Sequence, residues 1–88
     1  MSLETNLISK INTSDILRLM EKLGVSESQV RYGNDCLIFP TICHNDLTNN
    51  PSQKLYYYES SKRFYCYTSC KSMSIFDLII NTYKTRGF

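Results

Sequence analysis

The spacing of four metal-ligating side chains constrains this chain more than any other feature of its sequence. Cys43 and His44 are adjacent, and Cys66 and Cys70 follow in a Cys-x3-Cys arrangement. Short chains often build a tetrahedral zinc site from two such cysteine-bearing turns. A chain of 88 residues has room for one small domain, whose core alone supplies roughly 3–5 kcal/mol of stability. The sequence therefore predicts a domain that a structural zinc ion holds together.

The chain offers five candidate ligands, one more than a closed tetrahedral site needs. The Cys-x3-Cys spacing lets the sulfurs of Cys66 and Cys70 meet one ion. Adjacent side chains of an extended strand point to opposite faces, so Cys43 and His44 can share one ion only where the backbone bends. We predict the set Cys43, His44, Cys66 and Cys70. A four-cysteine set in which Cys36 replaces His44, and a metal-free domain with buried thiols, are the alternatives.

The hydrophobic pattern predicts two helices with a small sheet between them. Apolar residues at helical spacing predict a helix over residues 15–24, with Thr13 or Ser14 as its N-cap, and a second over residues 75–84. Ser74 and Asp77 have the spacing of a capping box for the second helix. Short helical structure is expected at residues 26–30 and a turn at residues 32–35. Strands are expected over residues 36–39, 54–58 and 63–67.

These elements define an α+β fold, a small antiparallel and zinc-ribbon-like sheet flanked by an N-terminal and a C-terminal helix. We expect one domain over residues 1–88, with its core at about 14–84. Neither a signal peptide nor an apolar run approaching the ~20 residues of a membrane span is visible. We therefore expect a cytoplasmic protein with reduced cysteines and no membrane partner.

The predicted hairpin of residues 54–67 concentrates aromatic and basic side chains. The net charge of the whole chain is only +2, so the local distribution is the more informative quantity. Cations attract phosphates and rings stack on bases, so this composition suits single-stranded nucleic acid. The alternative is a hairpin whose aromatic face belongs to the core and whose lysines are solvated.

Catalytic patterns are weak. Cys43 beside His44 is a poor nucleophile–base pair, because sequence neighbours rarely reach each other in the required geometry. The three glycines are well separated, which excludes a glycine-rich phosphate loop. We therefore expect this chain to be a binding module and not itself an enzyme.

With these residues in place, the sequence resembles the N-terminal zinc-binding domain of bacterial and phage DNA primases. That family has a Cys-x2-His turn, a Lys-Thr-Pro-Ser-like segment, a hairpin, a Tyr-x-Cys-x2-Cys knuckle and a helix with an Ile-Asp-Phe-like motif. The corresponding segments here are Cys43-His44-Asn45-Asp46, Asn50-Pro51-Ser52, the hairpin, Tyr65-Cys66-Tyr67-Thr68-Ser69-Cys70 and Ile75-Phe76-Asp77-Leu78-Ile79. The likeness covers roughly residues 14–84. The adjacency of Cys43 and His44 and the longer knuckle indicate a divergent member, from a phage or mobile element.

The resemblance implies a fragment of a longer primase-like protein. In the family this domain binds Zn²⁺ and contacts the single-stranded DNA template, while a separate catalytic domain synthesises the primer during DNA replication. The catalytic domain of the parent chain and a replicative helicase are the implied protein partners. By residue type and placement, the candidate template contacts are Lys54, Tyr56, Tyr58, Lys62, Arg63, Tyr65, Tyr67 and Lys71. The competing interpretation is a zinc-ribbon module whose aromatic face docks a helicase or another replication domain.

Overall fold

The predicted α+β fold is confirmed. A computed structural model describes residues 10–45 and 51–87. The elements follow in the order α1 (Thr13–Lys22), β1 (Arg31–Gly33), β2 (Cys36–Phe39), β3 (Leu55–Tyr58), β4 (Arg63–Cys66), β5 (Lys71–Met73) and α2 (Ile75–Thr85), with a 3₁₀ turn, Glu27–Gln29, after α1. The five strands form one antiparallel sheet in the order β1-β2-β3-β4-β5. No helix in the described ranges is long and apolar enough to cross a membrane.

Both helices begin with a capping box. Ser74 Oγ accepts from the Asp77 amide at 3.1 Å, and the Asp77 carboxylate accepts from the Ser74 amide at 3.2 Å, as predicted. The predicted N-cap of α1 was wrong, because Asn12 and not Thr13 or Ser14 holds that place. Asn12 is extended and its Oδ1 accepts from the Asp15 amide at 3.0 Å, while the Asp15 carboxylate accepts from the Asn12 amide at 3.1 Å. The sequence carries this signal as Asn-x-x-Asp, which matches Ser-x-x-Asp in spacing.

Two short edge strands, β1 and β5, were not predicted from the sequence. Residues 32–35 were expected to form a turn, but only Asn34 and Asp35 do so, and β1 pairs with β2 through Gly33 opposite Cys36. Strand β5 pairs with β4, with Met73 opposite Phe64. Each of these strands has three residues, too few for an alternating pattern to stand out in the sequence.

One face of the sheet forms the core. On β3 and β4 the side chains of Leu55, Tyr57, Phe64 and Cys66 are buried, whereas the intervening residues are partly or fully exposed. Both helices contribute to the same cluster, α1 through Ile16 and Met20 and α2 through Ile75 and Leu78. We call this side of the sheet the covered face and the opposite side the open face.

The helix ends are tied to the turns that surround the sheet. Thr13 Oγ1 donates to Glu59 Oε1 at 2.7 Å, and Lys62 Nζ donates to the Ile11 carbonyl, so the start of α1 is held to the β3–β4 turn. At the other end, Thr85 Oγ1 donates to the Cys43 carbonyl at 3.0 Å. The last turn of α2 is thus anchored on the segment that carries two of the predicted ligands.

Candidate metal centre and tyrosine face

Four candidate ligands lie together at one end of the sheet. One ligand atom each from Cys43, His44, Cys66 and Cys70 lies within 4.8 Å of the other three. Cys43 and Cys66 are buried, and His44 and Cys70 are half-buried. Three sulfurs and one imidazole nitrogen within this distance form a group close enough to bind a metal ion.

A turn after β2 brings the adjacent residues Cys43 and His44 to the same site. The His44 and Asn45 amides both donate to the Thr41 carbonyl, at 3.4 and 3.1 Å. The backbone therefore curls instead of continuing as a strand, where these two side chains would point apart. Thr41 is fully buried and its amide donates to the Ser52 carbonyl at 3.0 Å, which fixes the start of the turn. The bend required by the sequence is present.

The Cys-x3-Cys segment forms a knuckle around the sulfur of Cys66. Burial raises the pKa of this thiol, but the Ser69 amide, the Thr68 hydroxyl and amide and the Cys70 amide donate to its sulfur and lower its pKa to about 6. Burial raises the pKa of Cys43 and of Cys70 above the usual range, and the neighbouring sulfurs add to the increase for Cys43. The knuckle is therefore built to accept negative charge on Cys66, the form in which cysteine binds metals.

Both ring nitrogens of His44 have a hydrogen-bond partner. Nε2 lies 2.7 Å from Thr68 Oγ1, and Asn45 Nδ2 donates to Nδ1 at 3.1 Å. Thr68 Oγ1 also lies 3.2 Å from Cys66 Sγ. If one ring nitrogen binds a metal, the other keeps a partner that orients the ring, an arrangement common around metal-ligating histidines.

Cys36, the alternative fourth ligand, lies elsewhere. It stands opposite Tyr58 in the sheet, whereas Cys66 stands opposite Leu55, three residues further along β3. The strand alternation also directs Cys36 to the open face and Cys66 to the covered face. This separation favours His44 over Cys36 as the partner of the other three thiols.

The donor set and its spacing are compatible with a tetrahedral metal ion. A tetrahedral zinc ion with bonds of about 2.3 Å places its ligand atoms about 3.8 Å apart. Ligand atoms within 4.8 Å of one another therefore need to approach by no more than about 1 Å. Four protein ligands would complete a tetrahedral coordination shell.

The open face next to this centre carries a group of tyrosines. Tyr56, Tyr58 and Tyr65 are half-buried and Tyr67 is 51% exposed. The ring centroids of Tyr65 and Tyr67 are 4.5 Å apart, those of Tyr56 and Tyr67 4.9 Å, and those of Tyr56 and Tyr58 6.0 Å. The hydroxyls of Tyr58 and Tyr67 are hydrogen-bonded, which raises the pKa of Tyr58 to about 12. We call these four rings the tyrosine face.

Some of the predicted basic residues accompany the tyrosine face and others do not. Arg63 is exposed on the open face, where its Nε donates to Ser72 Oγ at 3.2 Å. Lys54 is exposed, and its carbonyl accepts from the Tyr67 amide at 3.0 Å. Lys62 instead reaches the Ile11 carbonyl near α1, on the covered side. Lys71 is exposed on the edge strand β5, directly after the candidate ligand Cys70.

Sequence reasoning missed other members of the open face. The register places one residue of each strand in a single row across the sheet: Arg31, Ile38, Tyr56, Tyr65 and Ser72. Arg31 is exposed and adds a second guanidinium to the side of the row opposite Ser72. Arg31 could have been assigned to the open face only if residues 31–33 had been predicted as a strand.

Comparison with known proteins gives one informative match. The chain is 36% identical over 80 residues to the SPbeta prophage-derived uncharacterized protein YorJ of Bacillus subtilis (strain 168). The match covers 88% of this chain but only 20% of that protein, so the chain spans about a fifth of the length of its relative. No protein-family model matches the sequence. No solved structure matches it either.

Proposed function

We propose that this chain is a zinc-binding, single-stranded DNA template-recognition module of a DNA primase, acting in primer synthesis during DNA replication. The observation that carries the proposal is the tyrosine face, a group of partly exposed rings with arginines beside it and a four-ligand centre at its end. Zinc would be held by Cys43, His44, Cys66 and Cys70 and would supply rigidity to the two turns. Catalysis would belong to another domain of a longer chain.

The connection between the centre and the rings supports this combination. Cys66 ends β4, and Tyr67 follows it directly as the most exposed ring of the tyrosine face. Fixing the Cys66 sulfur therefore also fixes the backbone on which Tyr67 is mounted. Template binding would then depend on the metal even though the DNA does not touch it.

The chemistry of the open face suits single strands better than duplex. Unpaired bases expose the flat surfaces that stack on aromatic rings, and each such contact contributes about 1–3 kcal/mol. Arg31 and Arg63 are exposed and would attract phosphates. Within residues 10–45 and 51–87, no helix projects from the open face to enter a duplex groove, the usual means of reading duplex sequence.

The match to a prophage protein supports a phage setting for the chain. The length of that relative is also what a multidomain protein with this module as one part would have. The assignment to a primase rests on the resemblance in the cysteine, histidine and hairpin segments.

The test is fluorescence anisotropy of labelled single-stranded oligonucleotides with zinc-loaded protein. Tyr56→Ala removes a ring from the centre of the tyrosine face and should weaken binding by about 5- to 150-fold, the range of one stacked base. Tyr32→Ala is the matched control, because Tyr32 is 62% exposed on β1 but lies opposite the buried Leu37, on the other side of the sheet. This control should bind DNA as the unmodified chain does.

Salt dependence separates template binding from protein docking. Three or four phosphate contacts would weaken binding about 20- to 50-fold between roughly 50 and 200 mM salt. An apolar docking face would change little. Equal affinities of the Tyr56→Ala and Tyr32→Ala variants, in this chain and in primer initiation by the longer protein, would remove the template-reading role and leave the docking interpretation.

A further inference from the structure

Helix α2 carries a second apolar stripe in addition to the one that it buries. Ile75 and Leu78 pack into the core. On the outward side, Phe76, Ile80 and Tyr83 are 37%, 51% and 46% exposed. Their spacing of four and three residues places them along one line of the helix. A stripe of three large apolar side chains is more than the single exposed residues that are normal on protein surfaces.

Two opposite charges border this stripe. Asp77 lies in the first turn of α2 and Lys84 in the last, both exposed. They stand three residues before and four residues after Ile80, on the side of the stripe away from Phe76 and Tyr83. Across the outward face of α2, Phe76 and Tyr83 therefore form one edge and Ile80 the centre. The charged residues Asp77 and Lys84 form the other edge.

The outward face of α2 is complementary to the same face of a second copy. If two copies of α2 lie antiparallel about a two-fold axis at Ile80, the first turn of one helix faces the last turn of the other. On one edge, Asp77 then faces Lys84 of the second copy, and both pairs form by symmetry. On the other edge, Phe76 faces Tyr83 of the second copy, and the two Ile80 side chains meet at the centre. A two-fold interface requires this relation of a surface to itself.

We propose that the outward face of α2 is a homodimer interface, and that its occupant is a second copy of this chain. The helix has 11 residues and a length of about 16 Å. An interface of that length falls below the ~1,200 Å² of stable complexes, so the dimer is weak and forms at high protein concentration. Because α2 lies on the covered side of the sheet, dimerisation leaves both tyrosine faces open. The dimer therefore does not depend on the proposed function.

The first measurement is sedimentation equilibrium of the zinc-loaded chain from about 10 μM to 1 mM, the range in which weak interfaces associate. The average mass should rise towards that of a dimer. Ile80→Asp places two carboxylates at the two-fold axis and should abolish the rise. Because Ile80 is exposed, this change leaves the core of the monomer intact.

A charge variant tests the pairing of Asp77 with Lys84. Lys84→Glu sets two carboxylates against each other at both symmetric positions and should weaken the dimer about tenfold or more. The matched control is Lys22→Glu, the same substitution at an exposed lysine in the last turn of α1. It carries the same cost to the helix dipole and should leave the association unchanged.

A measurement without any variant completes the test. In a mixture of isotope-labelled and unlabelled chains, filtered nuclear Overhauser contacts should join the Phe76 ring of one copy to the Tyr83 ring of the other. A chain that stays monomeric to about 1 mM overturns the proposal. So does a dimer that persists in Ile80→Asp, or one whose intermolecular contacts arise from the tyrosine face or from another protein segment.

Discussion

Thr68 is the residue whose removal tests the candidate metal centre most sharply. Its hydroxyl lies 2.7 Å from His44 Nε2 and 3.2 Å from Cys66 Sγ, so it joins a ligand of the first turn to a ligand of the second. Thr68→Val removes the hydroxyl and keeps the shape of the side chain. The residue is exposed, so the substitution creates no cavity and leaves the core unchanged.

With Nδ1 of His44 as the metal-binding nitrogen, Nε2 keeps Thr68 as its partner. The expected effect of Thr68→Val is then a loss of zinc affinity of about 10- to 100-fold, the usual result of removing a group that orients metal ligands. This corresponds to about 1.4–2.8 kcal/mol, which is reasonable for two lost hydrogen bonds, one of them to a charged sulfur. The metal-free chain should also lose some stability above about pH 6, because the Thr68 hydroxyl is one of the groups that hold the Cys66 thiolate.

Competition with a chromophoric chelator measures the affinity directly. Thr68→Ser keeps the hydroxyl and should retain most of the affinity. Ser69→Ala is the matched control, because its amide still donates to Cys66 while its exposed side chain makes no hydrogen bond within the described residues. An affinity of Thr68→Val within about twofold of the unmodified chain, or an equal loss in Ser69→Ala, would refute the argument that Thr68 orients the ligands.

Three further predictions follow from the same structure. Cys66→Ser and Cys70→Ser should each abolish zinc retention in elemental analysis while Cys36→Ser keeps the metal; release by Cys36→Ser with retention by His44→Ala would establish the four-cysteine site instead. Gly33→Ala should destabilise the chain by about 1–3 kcal/mol in denaturant unfolding, because the added Cβ would lie 2.7 Å from Cys36 Sγ. Adding Cys36→Ala should recover most of this loss. An undiminished loss in the double variant would contradict the clash with Cys36 as its cause. The pKa of Cys66 is lowered to about 6, and those of Cys43 and Cys70 are raised. Of these three cysteines, Cys66 is therefore the thiolate in the folded metal-free chain at about pH 7.5, and its contribution to stability is lost as the pH falls through about 6. Zinc binding at pH 7.5 should then release about two protons; calorimetry in buffers of different ionisation enthalpy measures the number, and a value near three would mean that Cys66 is protonated before binding.

The two helices and the two aromatic strands were determined by the sequence. The Ser-x-x-Asp signal located the start of α2, and the apolar spacing located both helices, because caps and helical stripes involve residues only three or four positions apart. The two aromatic strands were predicted for the same reason, since alternation within four or five residues suffices to identify a strand. The Cys-x3-Cys knuckle is equally local, and a hydrogen-bonded turn of five residues holds both of its sulfurs.

What the sequence left open was decided by pairing and packing. Alternation on β3 and β4 divides their side chains into two sets, but only the position of the helices makes Tyr57 a core residue and Tyr56 a surface residue. Lys62 is part of the basic hairpin in the sequence. Because the start of α1 lies next to it, its Nζ donates to the Ile11 carbonyl instead of lying with the tyrosine face. The same holds for Arg31, which reaches the open face only through the pairing of β1 with β2.

The candidate metal centre depends on both local sequence and tertiary packing. The sequence supplies the three thiols and the imidazole in two separate segments, yet the spacing of five candidates does not say which four meet. The sheet register answers that question by placing Cys36 on the open face and Cys66 on the covered face, at positions three residues apart along β3. Contacts between distant segments depend on how all the strands and helices pack at once, and no local pattern contains that information.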